Sequence, residues 1–551
     1  MRLKRLVALL AVLAPVLLIS AAQAQFGTTY PGASEGGYSS TTLNISRVLL
    51  TLYVVAGIIG LTAGAILSPA LRQFRMRLLL AAPLSLAVIS LIVSFPTNVV
   101  VGVVASVMIL VASFAIGKTL GASNEKSRTF GSAQWATFAQ LRDASIIGEQ
   151  GLALGYFGAF DHPLHYTGDR HLLTVAPTRA GKGVGAIIPN LLTYRGSALV
   201  VDPKGENAVI TAARRGAGNP ARGSEGLGQK VYVVDPWGIT GMQAACFNPL
   251  DWIDPTSPEA GENAMMLADA LVVSAQGGTE NPFWNEEAKA LLMGLILYVC
   301  SDTAEEGNRH LGRVRDIISL PGPELLELCV KMSSSTDPII ASTGARTASK
   351  EPRLLGNVLA SAQAQTHFLD SPSLRHSLSH SDFRFEDLKR QPMTVYLVLP
   401  ADRLGTFGRW LRLLIQQAIT VTARNVQDRP AQPILFMLDE MAALGRLTMV
   451  EQAYSLMAGF GMQLWGIVQD LSQLHRIYGD GWQTFIGNSG VLQYFGSRDL
   501  KTADYFSDLC GSSTVETVGS SVAKAIAPAG AGGRETVTSS AGEGRRPDYG
   551  R

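Results

Sequence analysis

At 551 residues the chain is too long for one ordinary domain and has room for two or three globular units. A formal charge of +2 excludes a global basic field for nucleic acid, though local loops can still supply one. The four cysteines, Cys246, Cys300, Cys329 and Cys510, are far apart and lack metal-type spacing, which excludes a disulfide framework and points to free thiols in a reducing compartment rather than a zinc site.

Residues 1–24 begin with Arg2, Lys4 and Arg5, run through an apolar stretch from Leu6 and end Ala22-Gln23-Ala24. That is the layout of a signal peptide, and it serves equally as a first transmembrane helix. A polar Gly/Ser/Thr-rich stretch follows over 25–47. Three apolar runs, 48–67, 78–95 and 99–117, are each long enough to cross a ~30 Å hydrocarbon core, which predicts three transmembrane helices within 48–118. Arg72, Arg75 and Arg77 separate the first two runs, and Lys118, Lys126 and Arg128 follow the third. The positive-inside rule puts both groups in the cytoplasm, so 25–47 becomes a periplasmic loop and the remainder is cytoplasmic.

Residues 119–166 read as a mixed, mostly polar lead-in. Apolar runs at 171–176, 197–201 and 231–234 predict strands, the last two leading into Asp202-Pro203 and Asp235-Pro236. Such strands fit a parallel α/β sheet whose C-terminal edge faces a ligand. The β pattern fades over 258–389, where 285–300 and 324–332 have helical spacing, and returns at 394–399, 434–438, 464–468 and 491–495. The expected organisation is a nucleotide-binding domain in two parts, 119–257 and 390–518, split by an all-α insertion at 258–389. The tail, 519–551, is rich in Gly, Ala and Ser and reads as flexible.

The chemistry concentrates at two places. Ala176-Pro177-Thr178-Arg179-Ala180-Gly181-Lys182-Gly183 follows a predicted strand and opens a predicted helix at 184–192. Small residues there let the backbone N–H groups of Thr178, Arg179, Ala180, Gly181, Lys182, Gly183 and Val184 wrap phosphates, while Lys182 reaches the β- and γ-phosphates of ATP. Ala176 replaces the usual first glycine, and Gly183 replaces the hydroxyl residue that normally ligates Mg2+. Far downstream, Ile434-Leu-Phe-Met-Leu438 ends in Asp439-Glu440. A buried strand ending in two carboxylates is the Walker B arrangement: Asp439 would hold Mg2+ through water, and Glu440 would polarise the attacking water. Gln469 ends a further strand, where a polar side chain can sense the γ-phosphate. Arg446 and Arg498 follow strands and are candidates for an arginine finger acting across a subunit boundary.

With Ile188-Pro-Asn-Leu-Leu192, Asp202-Pro-Lys-Gly-Glu206, Phe247-Asn-Pro-Leu250 and Val468-Gln-Asp470 added to these motifs, the chain resembles the TraG/TraD family of type IV secretion system coupling proteins. The resemblance covers nearly all of the cytoplasmic part. It implies an inner-membrane, multi-pass ATPase with a RecA-like P-loop NTPase domain, an inserted all-α domain and N-terminal transmembrane helices, assembled as a homo-hexamer. ATP and Mg2+ would be its ligands, with Lys182 on phosphate, Asp439 and Glu440 on metal and water, and Gln469 sensing nucleotide. Implied partners are relaxase–DNA complexes or effector proteins, DNA and secretion channel subunits. The alternative function is an ATP-binding docking receptor for effectors with little or no DNA translocation.

Overall fold

The computed structural model describes residues 131–547, apart from 159–161, 273–281, 425 and 524–535, together with Gly57. Apart from Gly57, the signal-like segment, the predicted periplasmic loop and the three apolar runs lie outside the described residues. Among the described residues no helix is long and apolar enough to cross a membrane. Residues 134–510 belong to one compact unit, and 131–133 with 511–547 to a second.

In the larger unit a short helix, Phe138–Asp143, precedes an antiparallel pair, β1 (Leu152–Phe157) and β2 (His162–Tyr166). Seven strands then build the main sheet: β3 (His171–Val175), β4 (Ala198–Asp202), β5 (Lys230–Val234), β6 (Met393–Val398), β7 (Ile434–Leu438), β8 (Met462–Val468) and β9 (Ser489–Tyr494). Their spatial order is β9-β3-β8-β7-β4-β6-β5, and every pairing is parallel. The five inner strands are buried at every residue, whereas the edge strands β5 and β9 are only partly covered. Burial on both faces explains why the inner strands read in sequence as nearly unbroken apolar runs.

Alternate side chains feed two cores. Leu172, Val200, Met437, Trp465 and Ile467 face one side, packed by Ala186, Ile187 and Leu191 near the start of α1 (Ile188–Thr193) and by Ala208 and Ala212 of α2 (Glu206–Arg215). Leu173, Leu199, Phe436, Leu464 and Val468 face the other side, in one continuous core with the helices that follow. Between β5 and β6 these include α3 (Ala260–Leu271), α4 (Pro282–Ser301), α5 (Leu311–Ile318), α6 (Gly322–Ser333), α7 (Pro338–Ala348) and α8 (Pro352–Thr366). Asp337-Pro338 and Glu351-Pro352 start α7 and α8: each acidic side chain accepts from first-turn N–H groups, and each proline sits where no N–H is needed. α4 buries Ala288, Leu291, Leu292, Leu295, Ile296 and Val299, so the helical layer wraps around it. After β6, α9 (Leu404–Arg424) lays Trp410, Leu411, Leu414, Ala418 and Ile419 into the same core.

In the second unit, Ser512–Ala523 pairs antiparallel with Thr536–Pro547, and Ser132 bridges Ser513. Where a flexible tail is expected over 519–551, residues 519–523 and 536–547 lie in these paired strands. The segments carry Thr514, Val515, Thr517, Val518, Val522, Thr536, Val537 and Thr538, and β-branched residues favour extended backbone even where little apolar surface is available.

Candidate nucleotide site

The strand order creates the site. β8 lies between β3 and β7, so three strand ends adjoin at one edge of the sheet. Val175 pairs with Val468, and Leu438 with Gly466. The chain leaving β3 stays on this edge through the Ala176 N–H, which donates to the Val468 carbonyl at 2.8 Å.

The loop that follows turns on Arg179 (φ +64°) and Gly181 (φ +92°). Gly181 needs its missing Cβ for that conformation, and a Cβ there or at Gly183 would meet nothing within 4 Å, so this loop faces open space. A π-helical turn, Gly183–Ile187, then leads into α1. Single π turns commonly mark functional sites. Asn190 anchors the helix: its side chain accepts from Ala153 N–H at 2.7 Å and donates to the Ala153 carbonyl at 2.9 Å, tying α1 to β1.

Lys182 ends the loop and reaches the end of β7. Its Nζ donates to Asp439 Oδ1 at 2.7 Å and to Glu440 Oε2 at 3.3 Å. Gln469 Nε2 donates to the other Glu440 oxygen, Oε1, at 2.6 Å. The four residues singled out for chemistry, separated by up to 287 positions, therefore form one connected group. Burial opposes the charge on Lys182, but the Asp439 and Glu440 carboxylates outweigh it and hold the ammonium pKa above its ordinary value. Glu440 itself has φ +61°. Among the described residues only Ser145, Arg179 and Glu440 are non-glycine residues with left-handed backbone, and two of the three are in this site. Such backbone costs roughly 1–3 kcal/mol per residue and concentrates where function requires it.

Residues 129–539 match the family model described as Type IV secretory system Conjugative DNA transfer. The chain belongs to that family. It is 29% identical over 405 residues to Protein VirD4 of Agrobacterium fabrum (strain C58), covering 72% of this chain and 58% of that protein. It is 26% identical over 441 residues to the conjugal transfer protein TraG of Escherichia coli, covering 73% of this chain and 68% of the relative. Thus the chain spans somewhat under two thirds of the length of its VirD4 relatives. Among solved structures, the plasmid coupling protein TrwB in complex with ADP and Mg2+ is similar with a TM-score of 0.51 at 17% identity, over 70% of this chain and 84% of TrwB. That likeness, with the parallel sheet, gives this family member the α/β fold of that coupling protein.

Arg446 pairs with Glu451 at 3.2 Å, and Arg498 is exposed on the loop after β9. Two further ionic residues are buried, Asp202 at the strand edge that carries the site and Arg215 at the opposite edge. Asp202, at the end of β4 beside β7, accepts from the Ala208 N–H at 2.9 Å. Burial raises its pKa to about 6 against those N–H donors, and the Asp439 charge adds to the rise. Arg215, fully buried on α2, donates to the carbonyls of Leu191, Tyr194 and Gly196, to Thr394 and to Gln229. It clamps the C-terminal end of α1, where unpaired carbonyls and the helix dipole favour a cation. A clue was available in Arg214-Arg215 closing a helix of small residues, but nothing there distinguishes the buried arginine from its neighbour.

Proposed function

We propose that this chain is a membrane-anchored coupling ATPase of a type IV secretion or conjugation system. It recruits relaxase-bound DNA or a protein substrate and helps drive it into the channel by hydrolysing ATP. The observation that carries this reading is the contact of Lys182 with Asp439 and Glu440, with Gln469 on the remaining Glu440 oxygen. A phosphate-binding lysine, a metal carboxylate, a base and its orienting amide are the minimum set for phosphoanhydride hydrolysis. Structures of TrwB with ADP and Mg2+ and with a non-hydrolysable ATP analogue support the same ligands here.

In this reading the backbone of 178–184 holds the phosphates and Lys182 binds the β- and γ-oxygens. Glu440 accepts a proton from the attacking water as the bond from the γ-phosphorus to ADP breaks, and the proton passes on to solvent. Gln469, donating to Oε1, keeps that carboxylate aimed. The donor set fits Mg2+: Asp439 is a carboxylate at the mouth of the site, and Gly183 leaves the remaining positions to water and phosphate. Bound there, Mg2+ would neutralise phosphate charge.

The apolar runs at 48–67, 78–95 and 99–117 anchor the protein in the inner membrane, with residue 119 onward in the cytoplasm. Six copies form a ring in which Arg446 or Arg498 reaches a neighbour's site. Steady-state ATP turnover by the full chain, with and without single- and double-stranded DNA, tests the proposal. Turnover stimulated by DNA is expected. Turnover that ignores DNA would exclude DNA as the cargo, and no turnover at all would leave the docking receptor.

A further inference from the structure

Away from the nucleotide site, the loop after β5 meets the segment returning from the helices toward β6. The two are stitched by backbone and side-chain bonds. Cys246 N–H donates to Asp382 Oδ2 at 2.8 Å, Asp382 N–H to the Cys246 carbonyl at 3.0 Å, Phe247 N–H to the Ser377 carbonyl at 2.8 Å, and Asn248 N–H to Ser381 Oγ at 3.0 Å. Phe247 packs on Phe383 and Phe385, with ring centroids 5.1 and 4.4 Å away. This framework brings a thiol, an imidazole and a carboxylate together: one ligand atom each from Cys246, His380 and Asp382 lies within 4.8 Å of the others.

We infer that Cys246, His380 and Asp382 bind a divalent transition metal of the zinc class. Sulfur, nitrogen and oxygen donors together suit a borderline-soft ion, and three protein ligands leave one tetrahedral position for water. Donors around such an ion stand roughly 3.5 Å apart, so the set must contract by about an ångström. The two partners that must move are the mobile ones, since the His380 and Asp382 side chains are 58% and 41% exposed while Cys246 is fixed in the fold. The imidazole is already oriented. Its Nδ1 lies 3.0 Å from Ser379 Oγ, which leaves Nε2, 3.5 Å from Asp382 Oδ1, as the ligand. A hydrogen bond on the far nitrogen is the usual way a protein sets the tautomer of a metal-binding histidine.

A cavity of about 540 Å³ lined by Asp251, Arg309, Ser381, Asp382 and Arg384 adjoins the cluster at Asp382. As the metal–sulfur bond forms, the Cys246 thiol proton leaves to solvent. Occupancy would lock the junction between the helical layer and the sheet. Nothing in the spacing of the cysteines reveals this site, because Cys246 and Asp382 are 136 positions apart.

The test is Co2+ titrated into the full chain after chelation. A thiolate-to-cobalt charge-transfer band should saturate at one ion per chain and vanish in Cys246→Ser; Co2+ held by the carboxylates of the nucleotide site gives no such band. His380→Ala changes an exposed side chain, so the metal-free variant should melt like wild type. It should nevertheless bind Co2+ at least about tenfold more weakly, and Ser379→Ala should weaken binding by roughly tenfold. A band absent at one equivalent, a band that persists in Cys246→Ser, or unchanged affinity in His380→Ala would overturn the site.

Discussion

Three strands of the parallel sheet run into aspartate, and the fold sets one of the three apart from the other two. Asp202 at the end of β4 and Asp235 after β5 are 1% and 2% exposed. Each is committed to its own loop. Asp202 accepts from the Ala208 N–H at 2.9 Å, and Asp235 accepts from both the N–H and the hydroxyl of Thr240 at 2.8 Å. Asp439 after β7 keeps 17% of its side chain accessible and meets the Lys182 ammonium. A strand-end carboxylate becomes chemically available where its own loop leaves it free and a neighbouring loop delivers a cation. Here the sheet order makes the difference, because β7 is one strand from β3 and its P-loop, whereas β5 lies at the far edge.

The largest expected effect breaks the contact itself. Lys182→Ala should lower ATP turnover by roughly 10²–10³-fold, the size seen when one preorganised electrostatic partner is lost. Turnover equal to wild type would put Asp439 in the same class as the two committed aspartates.

Asp202 sharpens the contrast through pH. Its folded pKa, about 6, lies above the unfolded value of 3.8, so protonation favours the folded state. That stabilisation is complete below about pH 4 and disappears as the pH rises through 6. Asp202→Asn lacks this dependence. Between pH 4 and 7 the stability difference between the two proteins should shift in the variant's favour by on the order of 3 kcal/mol, measured by denaturant unfolding. A pH-independent difference would mean that Asp202 is not held in a desolvated site.

The smallest effect concerns orientation. Gln469→Ala removes one hydrogen bond to a charged group, worth about 1.5–3 kcal/mol, so turnover should fall by roughly tenfold to a hundredfold. Nucleotide affinity should change little in the same variant. Loss of binding together with turnover would make Gln469 a phosphate ligand instead.

All seven strands of the main sheet were legible in the sequence, because the inner ones are covered on both faces and must be apolar throughout. The order of motifs also exposed the site, since Lys182, Asp439, Glu440 and Gln469 each follow such a strand. What stayed hidden has physical reasons. The β1–β2 pair is half-buried and carries Gly155, His162, Pro163 and His165, which mask any alternation. The strand pair Ser512–Ala523 and Thr536–Pro547 rests on backbone pairing in a Ser/Thr/Gly-rich stretch. Asp202, Asp235 and Asp439 look alike as residues following apolar runs, and only the spatial order of strands separates them. The Cys246 cluster depends on segments brought together by the fold.

The most direct test compares ATP binding and ATP hydrolysis in Glu440→Gln. Glutamine keeps the shape at the end of β7 but cannot take a proton from water. The variant should bind ATP about as well as wild type and hydrolyse it roughly 10²–10⁴-fold more slowly. Hydrolysis at the wild-type rate would contradict the account, because the acid pair facing Lys182 would then not be where the bond is broken.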